Sequence, residues 1–210
     1  VKQRTALINK IHNVLNGHGI KFKKESLSTE KGLRSIWAYD WEPIVRIELE
    51  VLVSQVRSLT ESIKALDDQM TQQGRHLKGH RNLTSIKGIG SRSATVLLSV
   101  IGNVHDFADQ HKLAAYLGIV PRVADSNETV RHGRITKRGS KIGRTTLVQC
   151  TLVAKRYSPY LQRYYERIKN HRGSGKAIIA TARKFLGIVY MTLKNNWIFE
   201  DFPNFALAES

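Results

Sequence analysis

Apolar residues recur at helical spacing along most of the chain. The first stripe comprises Leu7, Ile8, Ile11, Val14 and Leu15. Gly17 and Gly19 follow it and end the helix that it predicts. Later stripes predict helices over about residues 111–117, 141–157, 159–170 and 176–197. No segment alternates convincingly between apolar and polar residues, so the pattern predicts a mainly α fold.

A longer apolar pattern follows Asp40, a suitable N-cap, and Pro43, which fits a first helical turn. Its members alternate by four and three positions, as in a coiled-coil seam, and they are Val45, Leu49, Leu52, Val56, Leu59, Ile63, Leu66 and Met70. This seam predicts a helix to about residue 78 that is much longer than the first one. We therefore expect an antiparallel helical hairpin that also self-associates, as a dimer or higher oligomer, through residues 45–70. A long helix packed only against the first helix is the alternative.

Residues 83–102 combine a glycine turn with an amphipathic helix. Gly88 and Gly90 allow a tight turn and a close approach to a phosphate, and the first amides of the next helix favour an anion. Lys87 and Arg92 add positive charge. This arrangement resembles the helix-hairpin-helix module, which holds the DNA backbone without reading its sequence. An ordinary helical corner is the alternative.

The patterns predict two regions. Residues 1–80 form a long coiled-coil helical hairpin, and residues 81–210 form a compact helical domain that contains the helix-hairpin-helix and the C-terminal helices. Within the second region, residues 119–139 have no clear period and are predicted as a long loop. Such loops are often functional.

Positive charge is concentrated in the second half. Residues 71–199 hold 23 Lys and Arg against 5 Asp and Glu, a net of +18, whereas residues 1–70 hold 11 against 9. A field of this sign attracts polyanions, of which nucleic acid is the commonest. We expect these cations to converge on one face. Charge does not distinguish DNA from RNA, so an RNA-binding scaffold stays open.

Other kinds of site find little support. The acids of residues 71–199 form no converging set for a metal, the eight histidines lack zinc-ligand spacing, and no phosphate loop ends in Gly-Lys-Ser/Thr. We therefore expect no metal or cofactor in this chain. The single cysteine, Cys150, excludes an internal disulfide and fits a reducing compartment. No run of about 18 apolar residues predicts a membrane span.

The loop over residues 119–139 places a hydroxyl, that of Ser126, among many cations. A serine attacks a phosphodiester when its proton is removed and the developing negative charge is stabilised. Arginine supplies that stabilisation through charge-assisted hydrogen bonds. The candidate phosphate ligands in and after the loop are Arg122, Arg131, Arg134, Lys137, Arg138, Lys141 and Arg144. A solvated Asp-Ser-Asn turn is the alternative.

Several segments together resemble the DEDD-type insertion-sequence transposases, relatives of the pilin-gene invertase that are described as bridge-RNA-guided recombinases. The likeness covers nearly the whole chain. The segments that carry it are Arg4–His12, Ile86–Ala94, Leu113–Pro121, Gly133–Gly139 and Ala182–Lys184. Counted between Pro121 and Gly139, Ser126 falls at the serine taken to be the family's nucleophile. The family usually has Ser-Gly or Gly-Gly after this serine, whereas this chain has Asn127-Glu128.

The resemblance also implies an N-terminal RNase-H-like domain that binds metal through an Asp/Glu/Asp/Asp set. The chain begins at Val1 in a helical pattern and shows no such domain, so we expect a fragment of a longer protein. A divalent metal such as Mg²⁺ is then expected only in that missing domain. The implied partners are DNA and a guide RNA.

The sequence thus predicts the C-terminal part of a transposase or site-specific recombinase, acting in the bacterial cytoplasm at the nucleoid. Ser126 attacks the DNA, and the cations hold phosphates. The main alternative is a non-catalytic helix-hairpin-helix module dimerised by a coiled coil. We expect the isolated chain to bind nucleic acid without recombining DNA, and strand transfer by this chain alone would contradict that expectation.

Overall fold

The computed structural model describes residues 1–126 and 129–206, with the backbone alone for residues 123–126 and 129–132. The chain divides into two compact units, Val1–Gln69 and Met70–Ser210. The helices described are α1 (Lys2–Gly17), α2 (Glu30–Ser35), α3 (Pro43–Gly74), α4 (His80–Thr84), α5 (Ser91–Ile101), α6 (Gln110–Tyr116), α7 (Lys141–Tyr157), α8 (Pro159–Arg172) and α9 (Ser174–Lys194). This content confirms the predicted mainly α fold. Among the described helices, none has the length and apolarity to cross a bilayer.

In the first unit, α1 and α3 run antiparallel. The Arg4 guanidinium donates to the Thr60 hydroxyl over 3.4 Å, and Lys10 Nζ lies 3.1 Å from Glu48 Oε1. The start of α1 therefore lies beside the later part of α3, as the predicted hairpin requires. The apolar face of α1 and the first half of α3 share one buried core, formed by Ile8, Ile11, Leu15, Leu49, Leu52, Val53 and Val56 together with Leu27, Leu33 and Ile36.

The start of α3 differs from the prediction. The Arg46 N–H donates to the carbonyl of Glu42 over 2.9 Å, so the helix begins after Glu42, and the Asp40 cap was wrong. The indole of Trp41 donates to the carbonyl of Ile36 over 2.9 Å and packs with the core, which keeps the preceding residues outside the helix. Tertiary packing has shifted the boundary that local cap preference suggested.

The coiled-coil seam on α3 is buried only in part. Leu49, Leu52 and Val56 belong to the core of the first unit, whereas Leu66 is 64% exposed and Met70 is 37% exposed. The helix also ends at Gly74, earlier than residue 78. The first half of the seam thus packs within the chain, and the second half remains accessible.

The second unit is built around α9. Phe185, Leu186, Ile188 and Val189 are successive or near-successive residues, and all are fully buried. A helix that is apolar on nearly every side occupies the centre of a bundle. The buried Thr181 hydroxyl donates to a carbonyl one turn earlier over 2.8 Å, so this polar group is satisfied in the core.

The expectation of a strandless loop over residues 119–139 was wrong. Strands β1 (Pro121–Ser126) and β2 (Thr129–Ile135) form an antiparallel hairpin, with an irregular register between Pro121 and Val123. The two strands contain arginine, aspartate and histidine at many positions, so the apolar alternation that marks a half-buried strand is absent. Backbone pairing forms the hairpin without that signal.

Candidate nucleic-acid interface

The β-hairpin is anchored by a close crossing of the segments that enter and leave it. Gly118 has φ +67 and Gly139 has φ +82. A Cβ at Gly118 would collide with the backbone of Arg138, and one at Gly139 would collide with the carbonyl of Tyr116. Only glycine permits both the positive φ and the contact. The hairpin is therefore held by a rigid base.

Two backbone hydrogen bonds complete this base. The Lys137 N–H donates to the carbonyl of Gly118 over 3.0 Å, and the Thr136 N–H donates to that of Val120 over 2.9 Å. Lys137 itself adopts φ +56. A side chain in this left-handed region costs roughly 1–3 kcal/mol, and the surrounding contacts hold it there.

Arg144 of α7 also stabilises the base of the hairpin through hydrogen bonds. Its Nη1 donates to the carbonyl of Leu117 over 2.9 Å, to that of Arg138 over 3.2 Å and to that of Gly139 over 3.5 Å. Carbonyls at the end of α6 carry partial negative charge, which a guanidinium complements. Arg144 was predicted to bind phosphate, and the structure gives its half-buried guanidinium a structural role at the hairpin base. Its contact with nucleic acid stays a prediction.

Ser126 lies at the end of the hairpin that is farthest from this base. Its Cα pairs with that of Thr129, and Ala124 pairs with Arg131. Arg131 is therefore about 7 Å from Ser126 along the ribbon, and Arg122 is about 13 Å away. The side chains of Ser126 and Arg131 lie outside the described residues. The backbone nevertheless shows which predicted cation stands nearer to the serine.

The base of the hairpin carries a set of exposed cations, which are Arg122, Arg134, Lys137, Arg138 and Lys141. The Ser140 hydroxyl caps α7 by accepting from the Gly143 N–H over 3.1 Å. The first turn of α7 has no acidic residue and begins with Lys141. Cations beside a helix N-terminus repel its partial positive charge, so an anion bound at this place would be favoured.

The α4–α5 turn carries the second predicted group, Lys87, Gly88, Gly90 and Arg92. Gly88 has φ +111, and a Cβ there would come within 2.7 Å of the Ala154 backbone nitrogen. Packing against α7 thus requires glycine at this position, whether or not a phosphate binds there. Gly90 differs, because a Cβ at this position would have no other atom within 4 Å. Gly90, Lys87 and Arg92 are exposed at the N-terminus of α5.

The two groups of cations lie at opposite ends of the α5–α7 pair. Gly88, just before α5, touches Ala154 near the end of α7, whereas a Cβ at Gly143 would meet Val100 near the end of α5. The helices are therefore antiparallel, and Gly143 and Ala154 are about 17 Å apart along α7. Convergence of all the cations on one face stays a prediction. The structure brings together the hairpin-base group and, separately, the turn group.

Titratable groups elsewhere do not form a metal site in the described part of the chain. Among these residues, no three side chains of His, Cys, Asp or Glu come together as metal ligands. The carboxylate of Asp109 caps α6, and hydrogen bonds from the Lys112 and His111 N–H groups lower its pKa. Burial raises the pKa of the Cys150 thiol, so that thiol stays protonated at neutral pH.

One cluster of charged and aromatic residues was missed by the sequence reasoning. Tyr160, Tyr164 and Tyr165 on α8 each lie beneath a cation, with Lys184 of α9 4.6 Å from the first two ring centroids. The spacing of Tyr160 and Tyr164 by four residues signalled a shared helix face. All three tyrosines are partly exposed.

Comparison with known families gives a match in the second half of the chain. Residues 80–166 match the sequence profile described as the transposase IS116/IS110/IS902 family. The matched region contains the α4–α5 turn, the β-hairpin, α7 and the first half of α8.

Individual relatives agree with this match. The transposase for insertion sequence element IS1111A from Coxiella burnetii is 28% identical over 205 residues, which is 92% of this chain and 55% of that protein. The pilin gene-inverting protein of Moraxella bovis is 31% identical over 153 residues, which is 69% of this chain and 47% of that protein. A probable family 20 transposase from Pseudomonas aeruginosa is 28% identical over 156 residues, which is 70% of this chain and 45% of that protein. The chain thus spans about half the length of these curated relatives.

Proposed function

This chain belongs to the IS116/IS110/IS902 transposase family, as its sequence resemblance predicted, and we propose that it forms the nucleophile-bearing, DNA-binding part of a transposase or site-specific recombinase. One observation carries the proposal. Ser126 lies at the end of β1, inside the family-matched region, on a hairpin whose rigid base is surrounded by exposed cations.

The proposed reaction is a transesterification at phosphorus. The Ser126 Oγ forms a bond to the phosphorus while one DNA oxygen leaves, and the serine proton passes to a base as the leaving oxygen gains a proton. Arg131 is the predicted cation closest to Ser126 along the ribbon, so we assign it to the attacked phosphate. A guanidinium there would stabilise the charge that develops in the transition state.

The remaining cations are proposed to hold the DNA on either side of the reaction. Those at the hairpin base would bind phosphates next to the cleaved one. The turn with Lys87, Gly90 and Arg92 would bind the backbone about 17 Å away, at the other end of α7. A span of this length supports a role in positioning a duplex segment as a whole.

Further partners are part of the same proposal. A guide RNA would use the same basic surface, and the protein would act at the nucleoid. As the family resemblance implies, a divalent metal such as Mg²⁺ would be held by another domain of the complete protein; among the residues described here, no three potential ligands come together. No step proposed for Ser126 passes through a metal.

Self-association is proposed through the second half of the α3 seam. Leu59 and Ile63 are half-buried, and Leu66 and Met70 are exposed, at the four-and-three spacing of a coiled coil. A second copy of this chain presents an identical stripe, so the two would cover each other. Recombination requires several DNA strands in one complex, which a dimer would bring together.

The proposal is tested by trapping the covalent intermediate. The complete product of the gene is incubated with DNA carrying the element's ends, and protein–DNA adducts are separated on denaturing gels. We expect an adduct with the wild type, none with Ser126→Ala, and an undiminished adduct with Thr129→Ala, the matched hydroxyl on the facing strand. An adduct that persists in Ser126→Ala would refute Ser126 as the nucleophile.

A non-catalytic binding module is the second candidate function. The open space around Gly90 at an exposed, basic helix N-terminus favours it, because this feature binds a DNA backbone without any chemistry. Tight DNA binding by the wild type without adduct formation would support this candidate over the first.

A further inference from the structure

The region from the end of α7 to the middle of α9 has a composition of its own. Residues 155–184 contain nine Lys or Arg, one Glu and four Tyr. A surface that merely keeps a protein in solution mixes both signs of charge. Here the cations outnumber the acids nine to one in the sequence and are interleaved with aromatic rings, a pairing that suits nucleic acid with unpaired bases.

The contacts arrange these residues in two neighbouring groups on α8, one around Tyr160 and Tyr164 and one around Tyr165. Lys184 Nζ lies 4.6 Å from the ring centroids of both Tyr160 and Tyr164, so this one cation of α9 contacts two rings of α8. Arg167 lies 5.3 Å from the ring of Tyr164, and Lys155 lies 4.2 Å from that of Tyr165. We call this set, with Tyr160, Tyr164, Tyr165, Lys155, Arg167 and Lys184, the tyrosine–lysine face.

We propose that the tyrosine–lysine face binds an unpaired nucleic-acid strand. This inference rests on the proposed function, since it assumes that the chain handles nucleic acid, and it adds the surface that receives bases taken out of a duplex. On binding, the cations would turn from the tyrosine rings to the phosphates, and successive bases would stack on the rings that they uncover. The strand would be held without regard to its sequence.

The position of the face supports this role. Gly88 in the α4–α5 turn touches Ala154, the residue before Lys155. The tyrosine–lysine face therefore begins beside the turn that is proposed to hold a DNA backbone. A strand leaving a duplex at the turn would meet the tyrosines next, whereas the hairpin with Ser126 extends from the opposite end of α7.

Ordinary surface packing is the competing explanation. Cations stack on tyrosines in many proteins that bind no nucleic acid. A packing role predicts that altering Tyr164 changes stability and leaves the discrimination between single strands and duplexes untouched. The binding role predicts a change in that discrimination.

The test compares three labelled probes by fluorescence anisotropy with the chain as it stands: a 20-residue oligo(dT), a 20-residue oligo(U) and a 20-base-pair duplex. We expect Tyr164→Leu to weaken single-strand binding by about tenfold, the loss of one stacked base, with duplex affinity unchanged. Tyr164→Phe keeps the ring and should bind like the wild type. Tyr39→Leu alters an exposed tyrosine of the first unit and should change neither affinity.

The outcomes distinguish a failure of the tyrosine–lysine face from a failure of the proposed function. Equal losses for single strands and duplex in Tyr164→Leu, or no loss at all, would overturn the tyrosine–lysine face and leave the proposed function standing. A wild-type chain that binds none of the three probes would overturn both. Tighter binding of oligo(U) than oligo(dT) would assign the face to RNA, and the reverse would assign it to a displaced DNA strand.

A second variant covers the case in which Tyr164→Leu misfolds. Arg167 is exposed, so Arg167→Gln should leave thermal unfolding unchanged. We expect it to weaken single-strand binding and to lower the slope of log affinity against log salt by about one. Unchanged single-strand affinity and salt slope in this variant would also contradict the proposal.

Discussion

Two glycines in the α4–α5 turn differ in what they do, although they are two positions apart. Gly88 combines φ +111 with close contact to the backbone of α7, whereas Gly90 has φ −82 and open space around it. The sequence predicted one shared role for both, in approaching a phosphate. It could not separate them, because the neighbour of Gly88 is Ala154, which is distant in sequence.

The glycine pair gives a prediction with its own control. Gly88→Ala should destabilise the second unit by at least about 2 kcal/mol, because it adds backbone strain and a clash in a packed site. Gly90→Ala should change stability by less than about 1 kcal/mol, since reduced chain entropy in the unfolded state offsets a weaker N-cap. The added Cβ would, however, hold a phosphate away from the backbone amides and weaken duplex binding by about tenfold, the value of one lost charge-assisted hydrogen bond. Chemical denaturation and anisotropy measure the two effects. Equal destabilisation by both substitutions would contradict this division of roles.

A surface ion pair gives a pH prediction for the first unit. Arg57, and then Arg34, hold the pKa of Glu30 below its usual value near 4.5 through hydrogen bonds. A lowered folded-state pKa stabilises the fold above the unfolded value, and this contribution is lost as pH falls through the lower folded value. Glu30→Gln should therefore destabilise the unit at pH 7, and the difference from wild type should shrink in acid.

Tryptophan fluorescence measures this pH effect. Trp197 is replaced by Phe in every variant, so that the signal reports unfolding around Trp37 and Trp41. Glu50→Gln serves as the control, since Glu50 pairs with Arg46 inside α3 and does not join α3 to α2. A Glu30→Gln difference that stays constant from pH 7 to pH 3 would refute the assigned cause.

At the scale of elements, periodicity predicted most helices and missed the hairpin. The spacing of apolar residues located α1, α7 and α8, and Ser158-Pro159 marked the junction of the last two, where the Ser158 hydroxyl caps α8. The β-hairpin gave no such signal because its sequence lacks apolar alternation and its strands pair through the backbone. Its base depends on the crossing of Gly118 and Gly139, which only the fold reveals.

The two halves of the α3 seam have different partners. Its first half packs against α1, and its second half is proposed to bind a second copy. Leu66→Glu should therefore shift the dimer towards monomer by at least about 100-fold in dissociation constant, since it removes one buried leucine from each side. Light scattering after gel filtration measures the mass.

The control for the seam lies on the same helix. Ile44 is 73% exposed and falls outside the seam, so Ile44→Glu should not change the mass. A wild type that is monomeric at micromolar concentration, or a Leu66→Glu variant that stays dimeric, would rule out this interface.

For the whole molecule, the sequence predicted the family and the location of positive charge, but not its distribution in space. The predicted phosphate-binding cations form separate groups at the two ends of the α5–α7 pair, and further cations lie on α8 and α9. Composition counts charges without placing them, and placement depends on the antiparallel packing of helices that are distant in sequence. This arrangement favours an extended contact with nucleic acid, with Ser126 at the end of the β-hairpin.

The central claim, that Ser126 attacks DNA, is tested most directly by locating the covalent bond. Trypsin cleavage after Arg122 and Arg131 releases residues 123–131, which contain two hydroxyls, those of Ser126 and Thr129. After the trapped complex is digested with nuclease and trypsin, tandem mass spectrometry should find a nucleotide mass on Ser126. A nucleotide on Thr129, or a trapped complex in which this peptide is unmodified, would contradict the account.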